Sequence, residues 1–245
     1  MAVPTTEKKE ALAAAVEQEL ASLQARGVIA VGNAFSPVLL IKGALNEDEL
    51  AGGALLAGAD GAALRSALSA IGWEPQDFCA LSAVRFAAAG AAGEEGAAGA
   101  VGSIGGAGSA DGAGDVEAAS DAAGAASAAA ANDAAIAAGA SADGAAPRVE
   151  ALSPELFREA VEALDPEAII LLDTPAADVM RETYADALAI IEDFDTAMLK
   201  PGLIASVLGR RVLALDGFEA SLGVPAEKQR MWAYLKQLKP LGAPY

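Results

Sequence analysis

Four short apolar runs, separated by stretches with helical spacing, constrain the fold of this chain more than any other feature. The runs predict strands at Val38–Ile41, Asp77–Arg85, Ala168–Leu172 and Val212–Leu215. A continuous apolar run is typical of a strand that is covered on both faces, as in a parallel sheet. Strands that alternate with helices form layered α/β folds. The sequence therefore predicts a three-layer α/β/α sandwich with a four-stranded, mostly parallel sheet.

Apolar residues at helical spacing and terminal signals predict the helices between these strands. The first helix is expected over Thr6–Arg26, with Gly27 ending it. Ser153 and Pro154 form a favourable N-cap and first-turn pair. The remaining helices are expected over Gly61–Ile71, over 175–194 as one helix or two short ones, and from Pro225 onward.

Residues 87–147 differ in composition from the rest of the chain. They are mostly Ala, Gly and Ser with scattered acids, and they contain no Lys or Arg. Ordering such a segment would bury too little apolar area to offset a backbone entropy cost of about 1–2 kcal/mol per residue. We therefore expect a disordered insertion at 87–147 within a single domain that spans 1–245, because two strands lie on each side of it.

The residue inventory excludes several classes of chemistry. The chain has no histidine, which excludes Ser-His-Asp and Cys-His catalysis and imidazole zinc sites. Its single cysteine, Cys79, lies in an apolar run and is expected to be a buried packing residue. We therefore expect no disulfide, no metal cluster and no cofactor.

Charge and hydropathy limit the partners. A net charge of −18 and a pI near 4.2 argue against general affinity for phosphate backbones. The first twenty residues carry acids and no apolar signal-peptide core, and no apolar run reaches the roughly 18 residues of a membrane span. A cytoplasmic location and the absence of a membrane partner are the resulting expectations.

The stretch after the first predicted strand carries a recognisable series of short motifs. "KGALN" is followed by "EDEL", "LLAG" and "GAAL", and later blocks read "AIGWEPQDFCALSAVRF", "LSPELFREAVEALDPEAIILLD" and "VLALDGFEASLGVPAEKQRMWAYLKQL". This order of blocks resembles the uracil-DNA glycosylase superfamily, most closely its iron–sulfur-containing branch. The likeness covers nearly the whole chain, with the exception of 87–147 and of parts of 185–209. It implies the same α/β/α fold and a base pocket at the ends of the strands.

The family's functional positions carry other residues here. The first motif's glutamate falls on Gly43, its proline on Leu45 and its second glycine on Asn46, while Ala44 is kept. The base-stacking phenylalanine falls on Leu56.

The later motifs are altered in the same way. The base-reading asparagine falls on Ser82, and the His-Pro-Ser triplet falls on Gly217, Phe218 and Glu219. Cluster-cysteine positions are likewise not cysteine. The resemblance thus implies a vestigial base pocket without catalytic residues, formed by Gly43, Ala44, Leu45, Asn46, Leu56, Ser82, Gly217, Phe218 and Glu219.

Three classes of function follow. A degenerate glycosylase-like protein that acts as a binding or regulatory module is favoured, and weakly bound DNA is the partner that the resemblance allows. An active glycosylase with a rearranged site, using acids such as Glu47, Asp48, Asp216 or Glu219, is the alternative. An enzyme of another class that reuses the crevice at the strand ends is the third.

Overall fold

A computed structural model of the chain describes residues 5–74, 78–86 and 149–240. The insertion expected at 87–147 lies outside the described residues. In chain order the helices are α1 Thr5–Ala25, α2 Glu47–Leu50, α3 Ala59–Ala70, α4 Pro154–Leu164, α5 Thr174–Thr183, α6 Ala185–Leu188, α7 Phe194–Ala197, α8 Phe218–Ser221 and α9 Pro225–Leu235. The strands are β1 Ala30–Gly32, β2 Val38–Lys42, β3 Phe78–Ser82, β4 Val84–Phe86, β5 Val149–Ala151, β6 Ala168–Leu171, β7 Ile204–Val207 and β8 Arg210–Ala214.

The main sheet has six strands in the order β1-β3-β2-β6-β8-β7. The pairings of β3 with β2, β2 with β6 and β6 with β8 are parallel. The edge strands β1 and β7 pair antiparallel with their neighbours. The α/β class predicted from the apolar runs is confirmed, but a four-stranded sheet is wrong, because each end of the parallel core carries an additional short antiparallel strand.

The predicted strand Asp77–Arg85 is also corrected. Within the described residues the main sheet takes Phe78–Ser82, and the chain then leaves it at Ala83. Val84–Phe86 instead pairs antiparallel with Val149–Ala151 in a separate two-stranded sheet. Ala83 is fixed at this branch point, since its N–H donates to the Lys42 carbonyl and its carbonyl accepts from the Leu152 N–H.

Side chains of successive strand residues enter two separate cores on the two faces of the main sheet. Leu39 and Ile41 of β2 belong to the core that contains residues of α1, α4 and α5. Val38 and Leu40 belong to the other core, with residues of α3 and α9. This period of two places the next residue, Lys42, on the face that carries α3 and α9.

The helix signals in the sequence correspond to real caps. Gly27 has φ of +92° and follows the end of α1, as a C-terminal glycine does. The Ser153 hydroxyl accepts a hydrogen bond from the Leu156 N–H at the start of α4. The segment 175–194 is broken into α5, α6 and the start of α7 rather than being one helix.

The β4–β5 pairing brings Phe86 opposite Val149, so the two ends of the segment between them lie side by side. Replacing 87–147 by a short Gly-Ser linker is therefore expected to shift the melting temperature by less than about 3 °C, because the composition offers little apolar burial. Circular dichroism melts of the two chains measure this. A larger loss in the linker chain would mean that the segment packs on the domain.

Candidate functional site

A crevice opens where the carboxyl ends of the parallel strands meet the loops that follow them. The connection after β2 leads through α3 to β3 on one side, whereas the connection after β6 leads to β8 on the other. Such a reversal is where open α/β sheets bind ligands. The cavity there has a volume of about 380 Å³ and is lined by Lys42, Ala44, Leu45, Asn46, Asp60, Leu172, Asp173, Gly217, Phe218, Glu219 and Ala220.

Lys42, the last residue of β2, is buried beneath this crevice and contacts three carboxylates. Its Nζ lies 2.7 Å from Glu49 Oε2, 2.9 Å from Asp60 Oδ2 and 2.8 Å from Glu219 Oε2. The side chains of Lys42, Glu49 and Asp60 are 3–4% exposed, whereas that of Glu219 is 47% exposed. Two carboxylates are therefore fixed in the interior, and the third reaches Lys42 from solvent.

Local structure holds the two interior carboxylates in place. Asn46 and Glu49 form a capping box at the start of α2, in which each side chain accepts a hydrogen bond from the other residue's backbone N–H. Glu49 Oε1 also accepts from the Leu56 N–H at 2.9 Å. Asp60, in the first turn of α3, accepts from the Gly61 N–H at 2.8 Å. The spacing of Asn46 and Glu49 is a capping signal that the sequence carried and that motif comparison missed.

The charge state of Lys42 follows from these contacts. Burial alone would lower its pKa, but the hydrogen bonds to Asp60, Glu219 and Glu49 outweigh that effect and raise the pKa above the ordinary lysine value. A raised pKa in the folded state stabilises the fold at every pH below the ordinary lysine pKa, and this contribution is lost only as pH rises through the raised value. Lys42 is therefore a fixed ammonium ion near neutral pH, with no free base form to act as a nucleophile.

Asp173 occupies the opposite wall and is committed to backbone groups. It is the N-cap of α5 and accepts from the Ala176 N–H at 2.9 Å. The same carboxylate accepts from the Gly43 N–H at 2.9 Å and from the Ala44 N–H at 2.8 Å. This residue ties the loop after β2 to the loop after β6. The sequence signal for this N-cap is Asp173 followed by Thr174 and Pro175, directly after the predicted strand Ala168–Leu172.

Gly43, the position of the family's motif glutamate, has no room for a side chain. A Cβ atom there would lie 2.7 Å from Pro175 Cβ, 2.8 Å from the Ala176 nitrogen and 3.0 Å from Asp173 Oδ1. Glycine at this position is therefore required by the packing of the two loops.

The other residues of the predicted pocket are only partly brought together. Ala44, Leu45, Asn46, Gly217, Phe218 and Glu219 line the crevice. Leu56 lies behind it and lines a different cavity of about 360 Å³ with residues that include Leu40, Arg65 and Phe78. Ser82 is completely buried, and its hydroxyl accepts from the Val84 N–H at 3.2 Å. Ser82 is thus not among the crevice-lining residues.

The third loop enters the crevice through Gly217 and α8. Gly217 has φ of +66° with open space around the position of a Cβ. Phe218 is buried, and its N–H donates to the Leu172 carbonyl at 2.9 Å. Glu219 extends across to Lys42 and also accepts from Asn46 Nδ2 at 3.4 Å. Glu219 therefore joins the loop after β8 to the end of β2 and to the loop that follows it.

The described residues contain neither a cluster suited to a metal ion nor a helix suited to a membrane. No group of three or more His, Cys, Asp or Glu side chains in 5–74, 78–86 and 149–240 is arranged to hold a metal ion. In those same ranges no helix has the length and apolar character that crossing a bilayer requires.

No protein-family model matches the chain, and no curated protein matches it either. The resemblance to the glycosylase superfamily therefore remains a prediction from the motifs and their order.

Lys42→Met is expected to lower the free energy of unfolding by about 3–5 kcal/mol, because it leaves buried carboxylates without their cation. Lys200→Met is the matched control, since Lys200 pairs with Asp195 and both side chains are about half exposed. That control is expected to cost less than about 1 kcal/mol. Urea denaturation followed by tryptophan fluorescence measures both. Equal losses in the two variants would contradict the structural role given to Lys42.

Gly43→Ala is expected to destabilise the protein by about 1–3 kcal/mol, because the new methyl group overlaps Pro175 and the Ala176 amide. In Gly217→Ala the new methyl group meets open space, so only the left-handed backbone conformation is unfavourable. This substitution is expected to lower the free energy of unfolding by about 1 kcal/mol. The same urea titrations compare the two. A Gly43→Ala chain as stable as the wild type would show that the loops can separate and admit a side chain.

Proposed function

We propose that this chain is a glycosylase-like α/β protein without base-excision activity that acts as a binding or regulatory module through its crevice. The observation that carries the proposal is the state of Lys42, the one cation among the residues lining the crevice. All three of its N–H donors have carboxylate partners, so none is free for a phosphate or a developing anion.

The charge of the crevice supports this assignment. One ammonium group faces three carboxylates, which leaves two net negative charges around Lys42. Asp173 adds a further carboxylate to the lining. A DNA strand would bring phosphates toward like charges at short range, where repulsion is poorly screened.

Three arginines in the described part of the chain are paired with carboxylates. Arg85 pairs with Glu150, and Arg210 pairs with Asp165. Arg211 pairs with Glu167 and lies over the Trp73 ring. These pairings favour a structural role for the arginines over phosphate binding.

The crevice also lacks side chains at two positions where base excision needs functional groups. Hydrolysis requires a positioned water and a donor for the charge that grows on the leaving base, and one such donor is worth about 3–4 kcal/mol. Gly43 cannot carry a carboxylate without displacing α5, and Gly217 has no side chain to donate from. The resemblance is therefore best read as a shared framework with different chemistry.

One observation favours the alternative, an active glycosylase with a rearranged site. Glu219 lines the crevice and is half exposed, so its carboxylate is the one there that reaches both solvent and the cavity. Asp60 is buried and Asp173 accepts three backbone hydrogen bonds, so neither is free to activate water. In that reading Glu219 is the water-activating residue.

The deciding experiment is a glycosylase assay on uracil-containing single-stranded DNA, run beside a DNA-binding titration at low salt. We expect no abasic product above the no-enzyme background and binding weaker than a Kd of about 100 µM even at low salt, where phosphate contacts are strongest. Glu219→Gln is the matched variant, since it keeps the side-chain shape while removing the charge. Turnover by the wild type that Glu219→Gln abolishes would establish the rearranged-site alternative instead.

A further inference from the structure

A second cavity lies between α3 and α9 and adjoins the crevice at Phe218. Its volume is about 280 Å³, and its walls are mainly apolar. Helix α3 contributes Ala63, Ala67 and Ala70, and α9 contributes Met231, Trp232 and Leu235.

The cavity exists because one helix presents small side chains where the other presents large ones. The three alanines follow helical spacing on α3, so their methyl groups leave space above the sheet that longer side chains would fill. Met231 and Leu235 are buried at its base, whereas Trp232 is only partly covered. The result is an apolar recess with an aromatic wall that reaches solvent.

The mouth of this cavity carries cationic side chains. Lys228 is exposed and is the only charged residue among those that line it. Within 5–74, 78–86 and 149–240 its ammonium group makes no ion pair, while its neighbours Glu227 and Arg230 pair with each other. Lys236 lies over the Trp232 ring, with Nζ 5.3 Å from the ring centre. In a chain of net charge −18, this mouth is locally basic.

We propose that the cavity binds a small amphiphilic monocarboxylate, with its aromatic or medium-chain aliphatic body between α3 and α9 and its carboxylate at Lys228. The size lies at the lower end of small-ligand pockets, which suits a body of about eight carbons. A single exposed lysine matches one negative charge, and the apolar walls favour a ligand whose remaining surface is hydrocarbon. This site is independent of the crevice proposal.

Trp232 provides the readout, because a ligand in the cavity contacts its indole ring. The probes are octanoate, the neutral octanol and the cationic octylamine, which share a hydrocarbon body and differ in head-group charge. We expect saturable quenching of tryptophan fluorescence by octanoate at concentrations below about 10 mM, with octanol weaker and octylamine weakest. Trp232→Phe should remove the quenching, since Trp73 is buried elsewhere with its indole N–H donating to the Leu238 carbonyl.

Two variants separate the charge from the cavity. Lys228→Gln is expected to weaken octanoate about two- to fivefold while leaving octanol unchanged, as fits a partly exposed ion pair. Lys200→Gln is the control for the same change in net charge at a distant ion pair. Ala67→Leu fills the recess and should weaken octanoate and octanol alike by more than about tenfold, with calorimetry repeating each titration. Ala63→Leu serves as a second filling variant, and a thermal melt reports whether each variant is folded.

Several results would overturn the proposal. Absence of saturable quenching in the wild type would show that the recess is not a site for this class of ligand. Octanoate and octanol binding equally to both the wild type and Lys228→Gln would show that the carboxylate does not contribute to binding. The ligand would then be apolar side chains of a protein partner rather than a monocarboxylate. Quenching that persists in a folded Ala67→Leu or Ala63→Leu chain would place the ligand elsewhere.

Discussion

The interaction on which the crevice depends is the buried ammonium of Lys42 among three carboxylates. It joins the end of β2 to α2 through Glu49, to α3 through Asp60 and to α8 through Glu219. Burying these charges is expensive, so the arrangement is stable only while each group keeps its partner and its backbone hydrogen bonds. This requirement ties the loops that follow the parallel strands to the end of β2. Because the Lys42 ammonium is paired with these carboxylates, it is not available to bind an anionic ligand.

Apolar runs predicted the centre of the sheet because burial on both faces leaves a clear signal in the sequence. The strands at Val38–Lys42, Ala168–Leu171 and Arg210–Ala214 lie within a residue or two of the predicted positions. The edge strands were missed for a physical reason. Ala30–Gly32 and Ile204–Val207 have only three and four residues, and each has at least one exposed position, so neither is buried on both faces along its whole length.

The candidate site could be located from the sequence but its electrostatics could not. Motif order predicted one pocket containing Ala44, Asn46 and Glu219, and these residues line one crevice because loops after parallel strands meet at one edge of a sheet. The structure buries Lys42 and Glu49, although both are charged residues, and pairs them with each other. Residues separated by 7, 18 and 177 positions from Lys42 converge on one atom, and this convergence depends on the tertiary fold rather than on local pattern.

The short helix α8 makes the two cavities neighbours. Phe218 lines both the crevice and the recess between α3 and α9, and the next residue, Glu219, reaches Lys42. The Phe218 N–H is held by the Leu172 carbonyl, so its side chain and that of Glu219 leave a common, anchored backbone. The two cavities therefore share the buried Phe218 of this four-residue helix, and the Glu219 carboxylate of the next residue belongs to the crevice alone.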